Sequence, residues 1–131
     1  MKVIYLNVNE RKAPEVLEIE DKLETFYKLI DCSTVDIVTR EIGGKPFSII
    51  CDDEGLFVEK PTISALKKEH KTELVGNLII TGMPDDDGEL TGLTDEEIRT
   101  IEANTKMIIQ FNHNTEKAQI IDSLHNVIII D

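Results

Sequence analysis

The residues of this chain best suited to chemistry are carboxylates, and they are unevenly placed. Between Pro84 and Glu102 stand eight acids and one base, so −7 of the total charge of −12 falls in one short stretch. Asp85, Asp86, Asp87 and Glu89 crowd a single turn, and Asp95, Glu96 and Glu97 follow at the start of a helix pattern. A smaller run, Asp52-Asp53-Glu54, stands apart. Carboxylates in such numbers can hold a cation, work as an acid–base pair, or meet a cationic surface. Calcium is tested by the spacing. Counted from Asp85, acids fall at loop positions one, three, five and twelve, but position six is Leu90 where an EF-hand requires glycine. Glycoside chemistry needs two carboxyls across a sugar cleft. Such clefts usually carry aromatic platforms, and the chain has no Trp and only 5% aromatic residues. The charge field is what is left. It repels nucleic acid and bilayers and attracts basic surfaces, with plain solubility as the competing reading.

Other chemistry is sparse. There is no G-x-x-x-x-G-K-[ST] and no G-x-G-x-x-G, and Gly43-Gly44-Lys45 reads as a hairpin turn. His70, His113 and His125 form neither HxxxH nor HExxH and read as polar, loop-like positions, so no metal is expected. There is no G-x-S-x-G elbow. Cys32 and Cys51 are far apart, outside any CxxC and flanked by apolar residues, so they read as reduced, buried thiols. No cofactor is expected.

The elements that must position these groups are legible in part. Leu74, Val75, Leu78, Ile79 and Ile80 read as one buried strand, punctuated by Gly76 and Gly82. Met83 to Glu89 reads as a turn, and Thr94-Asp95-Glu96-Glu97 as a capping box opening a helix over 94–103, with Ile98 and Ile101 inward. Upstream, Lys2–Val8 reads as an interior strand and Glu15–Glu20 as a strand that pairs back on it, with Leu17 and Ile19 inward. Residues 22–30 read as an amphipathic helix capped by Asp21, its face made by Leu23, Phe26, Tyr27 and Ile30. Strands follow from Val35 to about Glu41 and over Phe47–Cys51, with a short one over Leu56–Val58. Pro61–Lys71 reads as a mobile surface loop with one turn of helix capped by Thr62, and as the local basic patch with Lys60. Met107–Phe111 reads as a strand. Ala118, Ile121 and Leu124 fit a helix period, and Val127–Ile130 is an apolar strand that must pair in the sheet or with another subunit. Ile4, Leu6, Phe26, Ile49, Ile80 and Ile98 are the expected core.

Three of these segments also carry a resemblance. Gly76–Gly82 (GNLIITG), the acidic turn with Gly88-Glu89-Leu90, and Gly92–Ile98 (GLTDEEI) resemble a family of small proteins that share a domain of unknown function. The family is encoded by bacterial phages, plasmids and conjugative elements. The first strand, the Pro14-Glu15-Val16 turn and the Asp52-Asp53-Glu54-Gly55 turn fit the same pattern over residues 2–103. The resemblance implies a mobile-element setting and interference with host defence. It carries over no functional residues.

The expected architecture is α+β, a mainly antiparallel sheet of five to seven strands with two helices packed on one face. At 131 residues, one domain is expected over 1–131, with a family-like core over 1–103 and a strand-rich extension over 104–131. No leader segment is read, and no stretch reaches the ~20 apolar residues of a membrane span, so a cytoplasmic protein is expected. The first functional expectation is a non-enzymatic acidic protein that occupies a basic, nucleic-acid-binding surface on a defence enzyme, as an anti-CRISPR or antirestriction inhibitor would. It would bind no nucleic acid or membrane itself. Its contact residues would be Asp85, Asp86, Asp87, Glu89, Asp95, Glu96 and Glu97, with Asp52, Asp53 and Glu54. The alternatives are a small enzyme or nucleotide-binding domain whose pocket forms only in three dimensions, and a structural or regulatory homodimer.

Overall fold

A computed structural model describes residues 1–54, 61–114 and 119–131, with 112–114 and 119–122 described by backbone alone. The chain is α+β. Its elements are β1 (Lys2–Leu6), β2 (Glu15–Glu18), α1 (Leu23–Ile30), β3 (Val35–Ile42), β4 (Lys45–Asp52), β5 (Ile63–Lys67), β6 (Thr72–Val75), β7 (Leu78–Thr81), α2 (Asp95–Ala103), β8 (Thr105–Asn114) and β9 (Gln119–Ile130). The strands form two sheets rather than one. The first runs β2-β1-β7-β4-β3, all antiparallel; the second runs β6-β5-β9-β8, with β5 and β9 parallel.

The first sheet is built on β7, whose four residues are all buried between β1 and β4. Alternation along these strands sends residues to opposite faces. Ile4, Leu6, Ile49 and Ile80 join one core with Ile98 and Ile101 of α2 and with Ala65, Ile128 and Ile130 of the second sheet. Val3, Ile50 and Ile79 face the other way and meet Phe26 and Ile30 of α1. The helices therefore cover opposite faces of the sheet, not one face. All six expected core residues are buried.

Four local readings are corrected by long-range packing. Leu74–Ile80 is not one strand. Gly76, at φ +77°, breaks it, so Leu74 and Val75 end β6 in one sheet while Leu78 starts β7 in the other. Buried Asn77 holds the crossing: its amide nitrogen donates to Tyr5 Oη (3.3 Å) and the Leu29 carbonyl (3.2 Å), and its oxygen accepts from Asn9 N–H (3.1 Å). Pro61–Lys71 is not a loop with a helical turn. Ile63–Lys67 is strand β5, and only Lys68-Glu69-His70 turns. Its short apolar run fits either period, and pairing beside Ile128–Ile130 decides it. The helix period of Ile121 and Leu124 is likewise overridden, because the whole of Gln119–Ile130 is strand. Lastly, α1 is capped by Lys22 without a side-chain bond, not by Asp21, and Leu23 is exposed.

Other readings hold. β2 pairs back on β1, with Leu17 and Ile19 half-buried toward α1. Gly43 and Gly44, at φ +58° and +81°, make the two-residue turn of the β3–β4 hairpin. Cys32 and Cys51 are free thiols, though only Cys51 is buried and Cys32 is half-exposed. Burial pushes the Cys51 thiol up to about 11. Val127–Ile130 is an interior strand, paired to β5 on one side and β8 on the other. The Leu56–Val58 strand, Gly55, Lys60 and Ala118 lie outside the described residues, as does the side chain of His113.

Candidate functional site

The chain leaves β7 through Gly82 into the acidic turn. The turn is tied at its base and again nearer its tip. Gly82 N–H donates to the Thr91 carbonyl (3.0 Å) and Thr91 Oγ1 to the Met83 carbonyl (2.8 Å). Above them, Asp85 N–H donates to the Glu89 carbonyl (2.9 Å) and Gly88 N–H to the Asp85 carbonyl (3.0 Å). A Cβ on Gly82 would collide with Thr91 Oγ1. One on Gly92 would sit 2.9 Å from the Lys2 nitrogen. Glycine at these two positions lets the loop lie flat against β1, where Leu93 N–H donates to the Lys2 carbonyl (2.7 Å).

Within this frame the acids divide by task. Asp85 Oδ1 accepts from the N–H groups of Asp87 (2.9 Å) and Glu89 (3.0 Å), so its carboxylate builds the turn. Sequence reasoning had placed Asp85 among the partner contacts instead. Glu97 completes the capping box: Thr94 N–H donates to Glu97 Oε1 (2.9 Å) and Glu97 N–H to Thr94 Oγ1 (3.1 Å). Asp95 lies 3.5 Å from Lys2 Nζ, and Glu96 lies 3.0 Å from Lys45 Nζ. The hydrogen bond and charge of Lys45 hold the Glu96 carboxyl below the usual range. Asp86, Asp87 and Glu89 are exposed, and among the described residues no cation pairs with them.

The seven acids from Asp85 to Glu97 share one end of the first sheet, and Asp52, Asp53 and Glu54 do not join them. In the antiparallel β4–β7 pair, Ser48 lies opposite Thr81 and Ile50 opposite Ile79. The Asp52 end of β4 therefore lies beside the start of β7, opposite the end where the acidic turn leaves. There Asp52 Oδ1 accepts from Glu54 N–H (2.9 Å), a local turn bond. Glu18 instead belongs to the acidic end, because it pairs with Lys2 across β1–β2. The expected pairing of these strands carried that signal. The two lysine partners carried none, since Lys45 lies 51 residues from Glu96 and Lys2 lies 93 from Asp95.

Two histidines were misread from sequence as loop positions, and the backbone of His113 lies in β8. His125 is buried in β9, not in a loop. Its Nε2 donates to the Ile63 carbonyl (2.6 Å), so Nδ1 accepts from the Ser123 hydroxyl (2.6 Å), and Arg11 Nε donates to Ser123 Oγ (3.2 Å). A Ser–His pair is the core of many nucleophilic sites. This one is only 3% exposed at Ser123, and its bonds tie the β1–β2 loop and β5 to β9. Its geometry is that of a structural clamp. Among the described residues no three His, Cys, Asp or Glu side chains gather as a metal would require. No helix there is long and apolar enough to cross a membrane.

Residues 1–106 match the model of a domain of unknown function, DUF3846. The chain belongs to that family. The matched span holds the whole acidic turn, the capping box and both lysine partners, and it ends at the second residue of β8. No curated protein and no solved structure matches the chain.

Proposed function

We propose that this member of the DUF3846 family is a non-enzymatic interaction protein that docks its acidic end on a cationic surface. The observation that carries the reading is the division of labour among the acids. Asp85, Asp95, Glu96 and Glu97 serve the fold, whereas Asp86, Asp87 and Glu89 are held out on a bonded loop with no cation among the described residues beside them. A loop already ordered pays little conformational entropy on binding. Like charges kept close gain most when a cationic partner relieves their repulsion. Carboxylates so placed stand in for phosphates. The natural target is therefore the basic groove of a nucleic-acid-binding enzyme, such as a CRISPR nuclease or a restriction enzyme. On this reading the setting is a phage or other mobile element, and the compartment is the cytoplasm.

The test is capture of a host nucleic-acid-binding enzyme on the immobilised protein, followed by elution with duplex DNA. The reading expects DNA to displace the enzyme. It also expects that replacing Asp86 and Asp87 by Asn and Glu89 by Gln slows association at least tenfold at low salt and flattens its salt dependence. Asp85 stays, because it builds the turn. Association of the variant at the wild-type rate across salt concentrations would refute it.

A further inference from the structure

We infer that the protein forms a two-fold dimer through the outer edge of β8. This goes beyond the proposed function and does not depend on it. Among the described residues four strands sit at sheet edges: β2, β3, β6 and β8. Three are blunted in the usual way. Of four residues β2 has Glu15 and Glu18, four-residue β6 has Glu73, and β3 has Asp36, Arg40 and Glu41. From Thr105 to Phe111, β8 has one charge, Lys106, and no proline. Its pairing with β9 runs without a break from Thr105 to Gln110, and both register shifts lie beyond.

The backbone of that edge is open in a definite pattern. Ile129 N–H donates to the Asn104 carbonyl (2.8 Å), which makes 104 and 129 a hydrogen-bonded pair. Antiparallel pairs alternate, so Lys106, Ile108 and Gln110 bond to β9. The N–H and C=O groups of Thr105, Met107 and Ile109 then point away from β9. The same stretch is apolar on one face. Met107 is 59% exposed, Ile109 51% and Phe111 46%, and Leu124, opposite Ile109 on β9, is 55% exposed. Large side chains grouped this way mark an interaction surface.

A second copy of this chain is the occupant the surface fits. An antiparallel β8–β8 pair centred on Ile109 sets Ile109 opposite itself and Met107 opposite Phe111. The two Ile109 residues, whose backbone groups point outward, match bond for bond, and the exposed side chains of Met107 and Phe111 meet across the pair. The two four-stranded sheets become one of eight strands. Charge placement agrees. Copies carrying −12 repel, and from Thr105 to Phe111 the edge bears no acid to add to that repulsion. The start of β8 lies at the acidic end, since its partner strand β9 runs on to Asp131, which is bound to the Gly43-Gly44 turn. Ile109 lies four residues further along, about 13 Å from Thr105.

Sedimentation equilibrium of the full chain tests this. The wild type should weigh twice its 14.8 kDa chain mass at micromolar concentrations. Ile109→Lys should halve that mass with an unchanged circular dichroism spectrum. If Ile109→Lys misfolds, the more exposed Met107→Lys serves in its place. Ile109→Cys should crosslink on mild oxidation, because a hydrogen-bonded pair holds its Cα atoms about 5.5 Å apart, within disulfide reach. Val16→Cys, on the β2 edge, should not. A monomeric wild type, a dimer that survives both lysine variants, or crosslinking at 16 rather than 109 would overturn the inference.

Discussion

Consider a chain cut after Lys106, where the family match ends. The cut removes most of β8 and all of β9. With β9 go Val127 and Ile128, each fully buried, and Ile130, which is 1% exposed. Fully burying an aliphatic side chain stabilises by ~1.5–3 kcal/mol, so these three contribute about 5–9 kcal/mol. That is comparable to the whole stability of a domain, about 5–15 kcal/mol. The cut also strips β5 of its parallel partner and opens the Ile4–Phe47–Ile80 core on one side. We expect no cooperative urea transition from the shortened chain and a largely disordered circular dichroism spectrum. A gentler version is Ile128→Ala, which should cost ~2–5 kcal/mol as large-to-small core changes do. In a domain of this size that lowers Tm by about 4 °C per kcal/mol. If residues 1–106 unfold cooperatively with the full chain's midpoint, β9 is an appendage and the two-sheet core is wrong.

Three further expectations follow from packing and titration. Ile80→Ala, in the central strand of the first sheet, should lose ~2–5 kcal/mol in urea titrations, and a loss under ~1 kcal/mol would contradict its central place. At pH 8 a thiol reagent should modify Cys32 before Cys51, whose thiol is pushed up to about 11 by burial, and reductant should leave Tm unchanged. Equal rates at the two thiols, or a Tm that falls with reductant, would contradict that. The Asp131 carboxyl is held low by the Gly44 N–H and by Lys68, so the folded state favours the carboxylate. Its contribution is complete above the ordinary Asp range and lost as pH falls through the lowered value. Asp131→Asn should thus be less stable than wild type at pH 7, and the gap should close below about pH 4. A gap that is constant with pH would show that the carboxylate has no part in it.

What the sequence made legible was local. The capping box over Thr94–Glu97, the Gly43-Gly44 turn and the glycine-bounded acidic loop each follow from bonds made within a few residues, and each stands as read. The losses came where partners are distant. Ile63–Leu66 has too few apolar residues to fix a period, and pairing on both sides, with β6 and with β9 some sixty residues on, makes it a strand. Gly76 was read as punctuation inside a strand, whereas it transfers the chain between sheets. His125 looked polar because its surroundings in sequence are polar, yet its partners are Ser123 on its own strand and the Ile63 carbonyl on β5.

The acidic end shows why counting charge is a poor guide to a binding surface. By count, Asp95, Glu96 and Glu97 rank with Asp86, Asp87 and Glu89. By structure they differ in kind. Glu97 cannot turn outward without releasing Thr94 N–H, and Glu96 cannot do so without giving up Lys45. Any partner recruiting them must first replace bonds the fold already makes, so their net gain is small. Among the described residues the side chains of Asp86, Asp87 and Glu89 have no such bonds to surrender, and Asp85 fixes the loop that presents them. The charge available for recognition is therefore nearer three than seven. On the proposed reading it sits on the loop, and the helix beside it would contribute rigidity rather than contacts.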